Sequence, residues 1–555
     1  MPSSRLPKWF PASVGLAIFL IALGIRVFGL SWGLPDEKHE YGFLPDEPIV
    51  YAVSQQVKPA LGRLTPGFYN YGTFYLSAAS IATDFASSYS AAIEAGPNQG
   101  TWQMRRGILA GRWVNVLAGA GTALLVFLLL LRRTHLLGAA LGGLAMGVAP
   151  AFVVHSRFQT VDVFATLWFT ASLYSAMRYA ENTEDRHALR WAVLAGVLAG
   201  FAAGTKYNAV LAVAALFPVA YKAKGGVKAA LLSSAACIAG FFVTTPGVLL
   251  ESARFQEHFQ YEMWHTSSGH GLVFAGTSPG FLYQLSNLLE ATGPAFLLIA
   301  LFGLYAMVSK RSPESDSVRL GFIGLLAVAL LYYVLIGRAE VKFLRYVFPL
   351  LPVLAIGFGF AVGYAHLQKS RAWQVLVAVA IFAVGSMVAR TAENTQLMMS
   401  ADPRDLAATA LRDRSSVGLV SDPWFYSPSL YPSIAAPRYA SFEQRQLIRA
   451  GARNPVVLRY VPENPSERQD WDVRLLEELA PAAVVFSSFE ADDYDRMLGM
   501  KNPPAEFAGQ LEQYKKFRDR LHQDYALERA FGTRGSAIHD MMYIQPRIWI
   551  WRRKP

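Results

Sequence analysis

The sequence predicts a polytopic α-helical membrane protein that carries a soluble α/β domain at its C-terminal end. Three observations lead there. Of the 555 residues, 53% are hydrophobic and only 16% charged, with a mean hydropathy of +0.26, a balance foreign to water-soluble chains of this length. Mostly apolar runs of about 18–25 residues recur through the first 390 positions, each long enough at about 1.5 Å per residue to cross a hydrocarbon core of about 30 Å. From about Asp402 onward, short β-branched runs alternate with charged helical stretches, the pattern of a small α/β domain.

Eleven spans fit best: about 11–30, 108–131, 136–154, 162–179, 190–205, 208–222, 229–248, 282–308, 319–337, 343–364 and 373–390. The first follows Arg5 and Lys8, is longer than the apolar region of a secretion signal and lacks a small-residue cleavage site, so it reads as an uncleaved span. Arg132, Arg133, Arg178, Arg186, Arg190, Lys222, Lys224, Lys228, Lys310, Arg311, Arg319, Lys369 and Arg371 fall in short loops on the side of Arg5 and Lys8. The positive-inside rule makes that side cytoplasmic, and an odd number of spans puts the other terminus outside. The expected organisation is a transmembrane domain over 1–390 and an extracytoplasmic α/β domain over 391–555, in the plasma membrane. Within the first outer loop, 31–107, the stretch from Phe68 to Ala92 predicts interfacial helix, with a re-entrant segment as the alternative. The last domain is expected to hold strands at 417–421, 455–459, 483–486 and 548–551 and helices at 466–480 and 505–523.

The net charge of +11 is spread over loops rather than gathered on one face. Topology and anionic lipid explain it, and nucleic acid does not. Cys237 is the one cysteine and lies in an apolar run, which reads as a buried thiol and rules out an intrachain disulfide. No phosphate-binding glycine loop, paired-glycine dinucleotide turn or nucleophile elbow occurs, which argues against a nucleotide-driven pump and a serine hydrolase.

The polar residues that break this pattern lie on the outward side. Leu34-Pro35-Asp36-Glu37 is followed ten residues later by Leu44-Pro45-Asp46-Glu47, and charge at a membrane mouth is costly enough to suggest chemistry. A plainer account of Asp46 and Glu47 is a helix cap with a first-turn acid. Asp162 stands in the turn between two spans, with His155 and Arg157 just before it; capping is again the alternative. Arg157, Lys206, Arg338, Lys342 and Arg345 sit on outward turns where the positive-inside rule disfavours them. A phosphate group at the outer mouth accounts for them, as does snorkelling to headgroups or pairing with Glu340. The 250–281 loop carries His258, His265 and His270 with Gly269 and Gly271. Their loose spacing and the lack of thiolates speak against a metal and for a segment that closes over substrate.

Tyr41-Gly42-Phe43-Leu44-Pro45-Asp46-Glu47, Phe68-Tyr69-Asn70-Tyr71-Gly72, the His155-to-Asp162 turn, Gly204-Thr205-Lys206-Tyr207-Asn208 and Lys342-Phe343-Leu344-Arg345-Tyr346-Val347-Phe348-Pro349 together resemble the lipid-carrier-dependent glycosyltransferases of the GT-C superfamily, close to family 39 and its protein O-mannosyltransferase and aminoarabinose transferase group. The resemblance covers about 30–390; the C-terminal domain matches only in position. It implies the GT-C fold, a polyprenyl-phosphate-linked sugar as donor, and a protein, lipid or glycan acceptor. Outside the cytoplasm, where nucleotide sugars are not available, a lipid-linked donor is also what topology demands. The resemblance further implies Asp46 as general base, with Glu47 and Asp162 orienting the acceptor or holding a divalent cation such as Mg or Mn. Arg157, Lys206, Lys342 and Arg345 would hold the donor phosphate, and Tyr71, His155, Tyr207, His265 and His270 would face sugar or acceptor. Because phosphate leaves as a stable anion, one carboxylate suffices where glycoside hydrolysis needs two. Asp36 precedes the family's acid and reads as the supporting copy. A transporter or flippase of lipid-linked sugars is the alternative, in which the same cations bind phosphate and the acids couple transport. The lack of an internal repeat weighs against it.

Overall fold

A computed structural model describes residues 7, 9–36, 39, 42–90, 99–183, 187–310, 314–368, 371–430, 456–532 and 538–555. Arg5, Lys8, Arg186, Arg311 and Lys369 of the inward basic set, and Glu37 and Tyr41 of the outer motifs, lie outside the described residues. The chain is mostly helical, with a sheet only near its end.

The membrane-facing part runs α1 (Trp9–Val27), α2 (Asp46–Ser54), α3 (Thr73–Ser90), α4 (Gln99–Leu131), α5 (Leu136–Gly147), α6 (Pro150–His155), α7 (Val161–Glu181), α8 (Ala188–Ala203), α9 (Phe217–Lys222), α10 (Gly226–Thr244), α11 (Gly247–Leu250), α12 (Ser252–Ser268), α13 (Gly280–Thr292), α14 (Pro294–Val308), α15 (Asp316–Gly337), α16 (Leu350–Gln368) and α17 (Arg371–Met399). Every apolar run marked in the sequence is helical, but several are broken. Among the described residues, five helical stretches are long and apolar enough to cross a membrane unaided. They are α1, α4, α10, α15 and the stretch beginning with α17; α13 and α14 make a sixth if counted as one span, although they meet at 106°.

The breaks have local causes. Proline opens α6 at Pro150 and α14 at Pro294, where the missing N–H costs nothing and the fixed φ suits a first turn. The 208–222 run begins as a 3-10 helix, Tyr207–Leu216, before α9. Where helices pack, small residues bring backbones together: a Cβ on Gly196 or Gly200 of α8 would meet the backbone of Ser233 or Cys237 on α10, and one on Gly303 of α14 would meet Gly357 of α16. Close approach of this kind holds helices in lipid, where burial of apolar surface contributes little. Cys237 is buried in that packing. At one end of the bundle Arg132, Arg133 and Arg178 converge on Glu181, at 2.7, 3.0 and 3.0 Å. The loop between α4 and α5 and the end of α7 therefore lie at the same end of the bundle.

In the outer loop, α3 lies along α4, with the Tyr75 hydroxyl donating to the Gly111 carbonyl at 2.9 Å and Ile81 and Phe85 left exposed. Beyond α17 come α18 (Pro403–Leu411), β1 (Ser416–Leu419), β2 (Val456–Leu458), β3 (Ala483–Ser487), α19 (Ser488–Leu498), α20 (Ala508–Asp524), β4 (Tyr525–Phe531), α21 (His539–Met542) and β5 (Ile548–Arg553). The sheet order is β2-β1-β3-β5-β4; β2, β1 and β3 are parallel, and β5 runs antiparallel between β3 and β4. Ala407, Leu411, Val417, Val457, Val485 and Ile550 pack one face, and Trp471, Phe486, Tyr514, Phe517 and Leu521 the other. The helix expected over 466–480 is instead a 3-10 turn, Pro465–Glu467, and a π turn, Leu475–Leu479. Strand β4 carries no apolar alternation, its side chains being exposed from Ala526 to Ala530, which is why pattern reading missed it.

Candidate active site

Four charged side chains from separate elements meet at one end of the bundle. Asp46 is the first residue of α2 and Asp162 lies in the first turn of α7. Neither helix has a side-chain cap, so both carboxylates sit at positive helix ends without the capping bond that was their plainer explanation. Lys206 ends the turn after α8 and places its ammonium 2.5 Å from Asp162 Oδ1 and 4.2 Å from the centre of the Tyr346 ring. Arg345, on a 3-10 turn at Leu344–Val347, reaches Asp46 Oδ2 at 2.8 Å and Asp162 Oδ2 at 3.8 Å.

The Asp46–Arg345 pair is close but badly aimed: Arg345 Nη1 finds no hydrogen-bond acceptor in good geometry. A guanidinium held this way keeps donors for a second anion. Asp46 is 29% exposed, against 12% for Arg345, 17% for Lys206 and 5% for Asp162, so of the four it is the one an incoming group meets. Tyr71 flanks the cluster; burial, then the Asp46 charge, push its phenol well above the usual range, Arg345 pulling the other way.

Several expected site residues are placed elsewhere. Glu47, one residue from Asp46, lies on a different face of α2 and is fully buried. Its two oxygens take Arg112 Nε at 2.8 Å and Nη2 at 2.7 Å, and Oε1 also takes the Gln159 N–H at 2.7 Å. The same guanidinium donates to the Leu30 and Trp32 carbonyls. Glu47 thus fastens the outer loop to α4, and a role in orienting acceptor is corrected to a structural one. Arg157, expected on the donor phosphate, turns toward α1 and α17, donating to the Ile25 carbonyl at 2.8 Å and Thr395 Oγ1 at 2.7 Å. Its partners were 132 and 238 residues away in sequence, beyond any local signal.

Lys342 is also removed from the cluster, its ammonium at 3.2 Å from Thr277 Oγ1 and from the Ser278 carbonyl and 3.6 Å from Glu340. Tyr207 donates to the Tyr69 and Tyr71 carbonyls at 2.7 and 2.9 Å, so it shapes the Tyr71 loop rather than facing ligand. His265 and His270 are 2.9 Å apart, ring nitrogen to ring nitrogen. Burial first, then His265 and His539, push His270 down to about 4. His155 does approach the cluster. It is fully buried between Phe158 and Phe348, and neither ring nitrogen has a hydrogen-bond partner.

The residue that sequence reading missed is Asp540 in α21. It is fully buried, accepts the Arg345 backbone N–H at 3.1 Å and lies 4.0 Å from His155 Nε2. Burial alone would push its carboxyl up, but His539 and the Arg345 cation hold it below its ordinary value. Arg112 was missed too, although a guanidinium inside an apolar run is itself a signal that a buried acid awaits it. As a divalent-cation site, Asp46, Glu47 and Asp162 do not fit. Glu47 is consumed by Arg112, the other two are each matched by a cation, and among the described residues no three acidic, histidine or cysteine ligands converge.

Parts of the sequence, and the fold as a whole, are similar to those of known glycosyl-transferring proteins. The family model for dolichyl-phosphate-mannose-protein mannosyltransferase matches residues 90–223. An undecaprenyl phosphate-alpha-4-amino-4-deoxy-L-arabinose arabinosyl transferase of Pectobacterium carotovorum is 28% identical over 275 residues, 47% of this chain and 46% of the relative; the match thus spans about half of that protein. Among solved structures, ArnT from Cupriavidus metallidurans bound to undecaprenyl phosphate superposes with a TM-score of 0.52 at 16% identity, covering 98% of each chain. The oligosaccharyltransferase AglB from Archaeoglobus fulgidus, in complex with an inhibitory peptide and a dolichol-phosphate, gives 0.54 at 14% identity over 92% of this chain and 73% of its own.

Proposed function

We propose that the chain is an integral-membrane glycosyltransferase that moves a sugar from a polyprenyl-phosphate carrier to an acceptor hydroxyl on the outward face. On this reading eleven segments span the plasma membrane, counting the broken and shorter apolar helices, with the N-terminus cytoplasmic and the α/β region outside. The observation that carries the reading is the Asp46–Arg345 pair, 2.8 Å apart and poorly aligned, beside Lys206 on Asp162.

A donor phosphate entering between Arg345 and Lys206 offers both cations a better-matched anion than the carboxylates they hold. Arg345 then lets go of Asp46. The freed carboxylate takes the proton of the acceptor hydroxyl as its oxygen attacks the anomeric carbon, the bond from that carbon to the phosphate oxygen breaks, and the lipid phosphate departs as an anion held by Arg345 and Lys206. Attack from the face opposite the leaving group inverts the anomeric configuration. No general acid is needed, since the leaving group requires no proton. The curated relative and the undecaprenyl-phosphate complex of ArnT support this donor class; the sugar and the acceptor are open to assay.

A transporter of lipid-linked sugars is the second reading, favoured by the 106° break between α13 and α14, since bent spans line pathways in transporters. One experiment separates the two: purified protein in liposomes is given radiolabelled polyprenyl-phosphate sugars with candidate acceptors, wild type beside Asp46→Asn. Transfer by the wild type and its loss in the variant supports the glycosyltransferase. Lipid movement without transfer favours the transporter, and undiminished transfer by Asp46→Asn removes Asp46 as base.

A further inference from the structure

The 3-10 turn that presents Arg345 lacks a cap of its own: the residue before it, Phe343, offers no side-chain acceptor. The Arg345 N–H near the start of such a turn has no partner within it and must find one elsewhere. It finds Asp540 Oδ2, at 3.1 Å and 195 residues further along the chain.

Burying a carboxylate completely is unfavourable unless charge and hydrogen bonds compensate. Asp540 has the Arg345 N–H on Oδ2, while Oδ1 has no hydrogen bond and lies 3.7 Å from His539 Nδ1. Packing alone does not account for an acid here, because an apolar side chain would fill the position without that cost. What the carboxylate adds is a fixed acceptor and a fixed negative charge beside Arg345. Its own position is set by the sheet region. The Tyr543 carbonyl, just after α21, accepts Arg404 Nη2 at 2.8 Å; Arg404 is itself clamped by Asp402 at 2.7 and 2.8 Å. Next, the Arg547 carbonyl accepts the Ser488 N–H at 2.8 Å where β5 meets β3.

We propose that the C-terminal α/β region completes the outward site, with Asp540 as a positioning residue that holds Arg345 in place by capping its turn. Arg345 then has a backbone pinned by one acid and a guanidinium left to choose between Asp46 and an arriving phosphate. The positioning itself is independent of the reaction; only what Arg345 does once positioned rests on the glycosyltransferase reading.

Hydrogen–deuterium exchange on the full-length protein in detergent tests it, comparing wild type, Asp540→Ala and Asp540→Asn, with polyprenyl monophosphate binding measured in parallel. Losing the acceptor in Asp540→Ala should speed exchange of the Arg345 amide at least about tenfold, with peptides of β1 and β3 unchanged. Asn keeps an oxygen acceptor, so Asp540→Asn should retain most of the protection. Polyprenyl phosphate should bind about tenfold more weakly to the Ala variant and about threefold to the Asn variant, and neither substitution should weaken it further when Arg345→Gln is present. Unchanged exchange at Arg345 in Asp540→Ala, or equal loosening of β1 and β3, would overturn the proposal. A wild-type protein that ignores polyprenyl phosphate would sink the glycosyltransferase reading and leave the exchange result standing on its own.

Discussion

The two acidic tetrapeptides, identical in sequence and ten residues apart, have been put to different uses. In the first, Asp36 accepts from His39 at 2.9 Å, and His39 reaches on to Asp405 of α18 at 2.5 Å, so the acid ties the outer loop to the α/β region. In the second, Asp46 faces Arg345, while Glu47 beside it is locked on Arg112. What separates them is where the chain turns helical. Pro45 immediately precedes α2, whose helical turn sends consecutive side chains about 100° apart around its axis, one toward the site and the next into the bundle. The motif marks a place, and the helix assigns the roles.

The sharpest way to break that contrast is to neutralise the two neighbours in turn. Asp46→Asn should cut turnover by about 10²–10⁴, the worth of a positioned base, with thermal unfolding close to wild type; a turnover loss below about tenfold would end the distinction. Glu47→Gln should do the reverse, costing about 3–5 kcal/mol because it leaves the Arg112 cation buried without its acid. That shows as a lowered unfolding temperature and poor recovery in detergent, with turnover per folded molecule little changed. Arg157→Gln should lose about 1–3 kcal/mol of stability from its bonds to α1 and α17, whereas Lys206→Gln should weaken polyprenyl-phosphate binding by about tenfold or more. Equal effects of the two on binding would return Arg157 to the phosphate.

The smallest effect concerns the first tetrapeptide. Burial alone would push His39 down, but Asp36 and Asp405 raise it from 6.5 to about 9. A group whose folded value is raised stabilises fully below its unfolded value and loses that contribution as pH climbs to the folded one. Unfolding temperature should therefore fall between pH 6.5 and about 9, by the equivalent of about 1–3 kcal/mol. His39→Gln should flatten that slope, and turnover below pH 6.5 should change far less than in Asp46→Asn.

The apolar runs made the helices legible, because a lipid-facing segment must satisfy its backbone internally and be apolar for its whole length. The sequence also grouped Asp46, Asp162, Lys206 and Arg345, which meet at one end of the bundle, since charge on these turns stands out against the positive-inside bias. What it hid was direction and distance. Nothing local says that Arg157 turns from Asp162 to Thr395, or that Glu47 is spoken for by a residue 65 positions on. Asp540 was hidden more deeply, standing on a four-residue helix between two partly exposed strands of the α/β region. The breaks at Pro150 and Pro294 were visible as prolines, but runs spaced for single spans masked them.

Gly72 lies so close to the α8 end that a Cβ there would overlap the Gly204 carbonyl, and two backbone bonds cross the contact: Gly72 N–H to the Thr205 carbonyl at 3.2 Å and Phe74 N–H to the Gly204 carbonyl at 2.9 Å. Tyr71 immediately precedes the first of these bonds and Lys206 immediately follows Thr205 in the turn after α8, so the two side chains ride on a single stiff joint. A shift of the backbone under Lys206 is therefore passed to the Tyr71 loop with no hinge between them, and any side chain placed at Gly72 would disturb both.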